Sequence, residues 1–174
     1  RSRSKMEKLR FWKKLAVVVL ATGFIGGCVK LNDDLGQIFK YNNPKIEARK
    51  KVMRGIAGNM KRIKITMRAG SGIGPMRQIK WAAEDIAKLA RKIPGTFKHQ
   101  TLAGKTTATN KIWGNWSGFT QVATNLVTSA EVLALAADGQ DMGGVKNSIK
   151  TVGANCGKCH KGYRVKKKKK RMKK

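Results

Sequence analysis

Residues 44–67 read PKIEARKKVMRGIAGNMKRIKITM, and their spacing decides the fold. Ile46, Met53, Ile56, Met60, Ile63 and Met67 recur at helical intervals, which gathers them on one face and leaves most of the lysines and arginines on the other. Asn43 ahead of Pro44 gives the segment its start, an Asn cap followed by Pro at the first helical position. Gly70-Ser71-Gly72-Ile73-Gly74-Pro75 breaks it. A second stripe runs over residues 75–93 through Ile79, Ala83, Ile86, Ala90 and Ile93, and Pro94-Gly95 is expected to end it. After a Thr- and Lys-rich connection over 96–110, a third spans 111–137 with Ile112, Trp116, Phe119, Ala123, Leu126, Ala130 and Leu133. Asp138-Gly139 stops it, and a fourth covers 141–165 with Val145, Ile149, Val152, Cys156 and Tyr163. Four such stripes with mostly short connections imply an all-α protein, an antiparallel four-helix bundle over residues 44–165.

The flanks read differently. Residues 1–27 place a basic segment ahead of the apolar run Leu15–Ile25, the order of a secretory signal peptide. That run is shorter than the roughly 20 residues a bilayer span needs. Ile25-Gly26-Gly27-Cys28 resembles a bacterial lipobox, making Cys28 a candidate lipidation site and attachment to a membrane through it an expectation. Residues 28–43 then form a tether, and residues 166–174 a basic, disordered tail. The chain is expected outside the cytoplasmic membrane, in the periplasm.

The 174 residues carry 39 Lys and Arg against 9 Asp and Glu, a net charge of +30. Three cysteines in a chain of this length exclude a disulfide-stapled miniprotein. The basicity extends beyond the tail into the body, so acidic partners and polyanions are attracted whatever the evolved role. It also fits export into an acidic medium, where few carboxylates remain to be titrated.

Cys156-Gly157-Lys158-Cys159-His160 carries the chemistry. Cys-x-x-Cys-His is the attachment sequence of c-type haem. Cysteines three apart on a helix project to one side, within reach of the two vinyl groups of one porphyrin, and the next residue offers an imidazole to iron. A thioredoxin-like motif would sit beside a βαβ pattern, which is missing. A zinc site would need further ligands, and Cys28 and His99 are the Cys and His that remain. One covalently bound haem c is therefore expected.

The position of this motif in the last helix, followed by Lys161-Gly162-Tyr163-Arg164, resembles the class II cytochromes c. That family comprises cytochrome c′ and its low-spin relatives of the cytochrome c-556 type. The resemblance implies thioether attachment at Cys156 and Cys159, His160 as proximal ligand, and Arg164 as the basic residue beside the proximal face. It further implies that the pair Arg49 and Met53 matches the family's first-helix pattern, with Met53 as the sixth ligand and Arg49 near a haem propionate. By composition alone Met60 and Met67 are equally available, with Met60 the runner-up, and His99 reads as a surface residue. Trp113 and Trp116 resemble aromatics of the family pocket.

The expected function is one-electron transfer by a His/Met-ligated haem, steered to an acidic redox partner. The rival is a high-spin cytochrome c′ binding nitric oxide or carbon monoxide at a vacant distal position. A polyanion-binding role leaves Cys-x-x-Cys-His unexplained, so nucleic acid is not the expected partner. No acid/base pair, oxyanion site or phosphate loop is apparent, so no enzymatic activity is expected. The family implies a homodimer through the first two helices, which Lys61, Arg62, Lys64 and Arg68 oppose.

Overall fold

The computed structural model describes residues 43–70 and 72–165; the expected signal peptide, the lipidation at Cys28, the tether up to Asn42 and the tail from Lys166 lie outside the described residues. Helix α1 is Pro44–Arg68, and its Asn43 cap accepts from the Lys45 amide at 3.0 Å. Helix α2 is Ile73–Arg91 and is followed by the short α3, Ile93–Phe97. Pro94-Gly95 thus does not close the second segment. Pro is tolerated in the first turn of a helix, and here it lies in the first turn of α3.

The third segment is also divided, into α4, Lys111–Gly114, and α5, Trp116–Asp138. Asn115 leaves helical geometry at the break and its side chain accepts from the Gly118 amide, recapping the chain as α5 begins. Helix α6, Met142–Tyr163, is capped in the same way by Asp141 on the Gly144 amide. A Cβ at Gly144 would stand 2.3 Å from the Asp141 carboxylate, so a larger residue there would require the capping carboxylate to shift.

Three sides of the bundle are packed, α1 on α2, α2 on α5 and α5 on α6. The α2–α5 contact is the most extensive, and its buried faces are rich in alanine: Ala82, Ala83, Ala87 and Ala90 from α2, and Ala123, Ala130, Ala134 and Ala137 from α5. Small side chains let helix axes approach closely. Ile63, Ile79, Ile86, Phe119 and Leu133 fill the interior. On α1 the core face is Ile46, Val52, Ile56 and Ile63, while Met53, Met60 and Met67 sit half-buried at its edge. Helices α1 and α6 do not pack on each other among the described residues. The fourth side is open.

Among the described residues no helix is long and apolar enough to cross a membrane. Ion pairs lie at the surface: Glu47 with Lys50 and Arg54, Lys80 with Asp138, and Arg91 with Glu131.

Two expectations follow. Ile79 is fully buried, so Ile79→Ala will lower stability by about 2–5 kcal/mol, read as a lower urea midpoint at unchanged slope. The Glu47 carboxyl is held below its usual value, first by its hydrogen bond from Lys50. A depressed carboxylate contributes stability above its unfolded pKa and loses it as pH falls through the folded one. The Glu47 side chain is 44% exposed and well screened by water, so its loss is small. Helical circular dichroism is therefore expected to stay level through the carboxylate range, and cooperative unfolding near pH ~4 would count against this.

Candidate functional site

A cavity of about 410 Å³ occupies the open side between α1 and α6. From α6 it is lined by Cys159, His160, Tyr163 and Arg164, and from α1 by Ile46, Arg49, Lys50, Met53, Arg54 and Ala57. Phe97 of α3, Ile112 of α4, Phe119 of α5 and residues 105–108 of the connection complete it.

On α6, Cys156 and Cys159 are half-buried free thiols three residues apart, both packed against the core. Burial raises the pKa of both, so they remain protonated near neutrality and are poor general nucleophiles. Burial, and then the Arg164 charge, lower the pKa of His160. That favours the neutral imidazole, the form able to ligate a metal. Among the described residues no group of three His, Cys, Asp or Glu side chains could hold a metal ion by itself.

On α1, Met53 lines the cavity; Met60 and Met67 pack against the core elsewhere on the helix. His99 is exposed, as expected. Arg49 is 3% exposed. Its guanidinium donates to the carbonyls of Thr96 (3.0 Å), Thr101 (2.8 Å) and His99 (2.6 Å). It also lies over the rings of Phe97 and Trp113, 4.6 Å and 5.4 Å from their centroids. Burial pulls its pKa below the ordinary value, yet arginine remains charged. Three of its five N–H groups are thus engaged on carbonyls, leaving two for an anion.

Phe119 is the hub of the aromatic wall. Its ring meets Phe97 edge-on at 5.1 Å, Tyr163 edge-on at 5.3 Å and Trp116 at 5.6 Å, so it joins α3, α5 and α6. Trp113 and Trp116, expected at the cofactor, line a neighbouring depression with Pro94, Gly95 and Lys98. The break at Asn115 shifts the helical phase between them, and the Trp113 indole donates to the Phe97 carbonyl at 2.8 Å. Phe97, Phe119 and Tyr163 take the lining role instead. Phe119 and Tyr163 carried a sequence signal as members of apolar stripes; Phe97, in a segment read as a polar connection, carried none. Arg164 donates to the Thr107 hydroxyl at 3.1 Å and keeps its place beside His160.

The residues present fit a haem c. The cavity has the size of a cofactor site, with the Cys159 thiol and the His160 imidazole on one wall and the Cys156 thiol one turn earlier on the same helix, outside the lining. Its lining holds five Lys or Arg side chains and no Asp or Glu, a surrounding suited to propionates.

The comparisons agree with this geometry. A family model for cytochrome c′ matches residues 44–164. A cytochrome c-556 from Agrobacterium tumefaciens (strain B2A) is 32% identical over 123 residues, 71% of this chain and 98% of that protein. A cytochrome c′ from Rhodospirillum rubrum is 28% identical over 69% of this chain and 81% of its own length. The crystal structure of cytochrome c′ from Thermochromatium tepidum superposes with a TM-score of 0.62 at 28% identity, covering 71% of this chain and 95% of that one.

The attachment role of the two thiols has a direct test. With both Cys156 and Cys159 changed to Ala, haem will no longer travel with the polypeptide on a denaturing gel. Cys28→Ala is expected to leave it attached.

Proposed function

Because this chain belongs to the cytochrome c′ family of class II cytochromes c and its cofactor is covalent haem c, we propose that it is an exported one-electron carrier whose iron is ligated by His160 and Met53. Haem c supplies the one-electron iron couple. The chain's part is to fix two ligands, exclude water and leave an edge accessible to a partner.

The observation that carries the reading is that Met53 of α1 and His160 of α6 line one cavity, on the side of the bundle where those two helices do not pack. His160 follows Cys159 directly, so attachment at that thiol would also position the imidazole. Cys156, one turn earlier, supplies the second thioether. Met53 is soft, unbranched and half-buried at the edge of the α1 core face, free of the packing constraint that holds Ile56. A thioether opposite an imidazole raises the reduction potential relative to two nitrogen ligands. Lys50, Arg54, Lys105 and Arg164 surround the opening and would attract an acidic redox protein, an attraction that salt screens.

Localisation in the periplasm is part of the same proposal, supported by the basic-then-apolar order of residues 1–27. Lipid attachment through Cys28 is its membrane-bound form. The gas-binding reading keeps the same fold and His160 and differs only at Met53.

The test is the visible spectrum of the purified protein, oxidised, reduced, and reduced with carbon monoxide. Sharp low-spin ferrous bands that ignore the gas are expected. Met53→Ala will convert them to a high-spin spectrum that shifts on adding carbon monoxide, whereas Met60→Ala will not. A wild-type protein that is already high-spin and gas-responsive overturns the electron-carrier reading in favour of the gas-binding one.

A further inference from the structure

The connection between α3 and α4 does more than join them. At its start, Arg49 of α1 holds the backbone at three points, the carbonyls of Thr96 in α3 and of His99 and Thr101 beyond it. At its end, Ala108 bridges Arg164 just beyond α6. There the Val165 amide donates to Thr107 at 2.8 Å and the Thr109 amide to Tyr163 at 3.1 Å. The segment is therefore tied to the two helices that do not pack on each other. The backbone from Thr101 to Thr107 reaches at most about 20 Å, so these ties limit how far α1 can stand from α6.

Arg49 suits the first tie for chemical reasons. The Thr96 carbonyl belongs to the last turn of α3 and has no helical partner beyond it, and a cation there is favoured by the helix dipole. A planar fork can serve several carbonyls at once, which an ammonium cannot do in the same geometry. The faces of Phe97 and Trp113 hold the fork in place. No carboxylate is among its hydrogen-bond partners, so the interaction is spent on the backbone of the connection.

We propose that Arg49 is a positioning residue that makes residues 96–109 a strap of fixed span between α1 and α6, and so sets the distance between the Met53 thioether and the His160 imidazole. The consequence for the ligands rests on the His160/Met53 reading; the strap itself does not. Releasing Arg49 lets α1 drift outward and opens the Met53 side of the cavity to small molecules.

The test compares holoprotein carrying Arg49→Gln, Arg49→Lys or Ile79→Ala with wild type. Amide hydrogen exchange over residues 98–107 and carbon monoxide association with the ferrous form are measured. Arg49→Gln is expected to raise the exchange by about tenfold or more and to make carbon monoxide association appear where the wild type shows none, with Arg49→Lys between it and wild type. Ile79→Ala, destabilising but remote, is expected to leave carbon monoxide association at the wild-type rate. If Arg49→Gln leaves the exchange unchanged, the strap is overturned. If Ile79→Ala speeds carbon monoxide association as much, Arg49 acts only through global stability and the positioning role fails. A wild-type ferrous protein that is high-spin and binds the gas at once sinks Met53 ligation instead. In that case the exchange of residues 98–107 alone decides the strap, a tenfold rise upholding it. Should the Gln variant not fold, Arg49→Lys is read against the same two controls.

Discussion

A bundle whose first and last helices do not pack together must be held open by something other than helix–helix contact. Here the α2–α5 interface provides the rigid reference, close-packed through alanines on both sides. Helices α1 and α6 hang from it, α1 packed on α2 and α6 on α5, with smaller contacts to the short helices α3 and α4 respectively. Phe119 turns that arrangement into a site, because its ring touches Phe97 below the connection and Tyr163 one turn beyond the haem-attachment motif. A core that is close-packed transmits displacement instead of absorbing it. The geometry of the cavity is thus an outcome of packing elsewhere, and a change at Phe119 would be felt on three helices.

Charge is distributed with the same economy of contact. The body is strongly basic, yet the ion pairs among the described residues are few and lie at the surface, and such pairs contribute little to stability. One guanidinium, Arg49, is taken out of water, and it is compensated by carbonyls and aromatic faces instead of by a carboxylate. Burying a charge without pairing is unfavourable unless its donors are met. Three of them are met, and Arg49 itself lines a cavity whose other charged side chains are cations. An anionic group entering that cavity gains from every one of these charges, which is why the lining suits a cofactor bearing propionates.

The helices were legible in the sequence because burial on one face imposes a 3.6-residue period, visible in the run from Ile46 to Met67 and in those of the later segments. Cys156, Cys159 and His160 were legible because the covalent chemistry dictates both residue type and spacing. The break at Asn115 was less visible, since the apolar period continues across it and only the side-chain cap on Gly118 marks it. Pro94-Gly95 reads as a terminator from either side, and whether a new turn begins there depends on tertiary packing of Phe97. Arg49 shows the limit most clearly. By local pattern, among Lys50, Lys51 and Arg54, it looks like one more solvated cation, although it lies three residues from both Ile46 and Val52, on the buried face; the family resemblance singled it out, but for a propionate and not for backbone carbonyls. Its partners are 47 to 52 residues away in the chain. No local pattern encodes that separation.

An electron carrier needs its iron ligands in nearly the same place in both oxidation states, because any rearrangement adds to the barrier. Ligands drawn from two helices that pack on each other would obtain that constancy from their shared interface. On the proposed ligation, Met53 and His160 come from helices without one, so the constancy would have to be supplied from outside the pair. The α2–α5 core fixes where each helix begins, the Phe119 cluster fixes the wall between them, and the connection bridges the gap from Arg49 to Arg164. With α1 tied to α6 by a connection and not by direct packing, the residue it presents toward α6 can change while its packing on α2 and the core behind it stay unchanged.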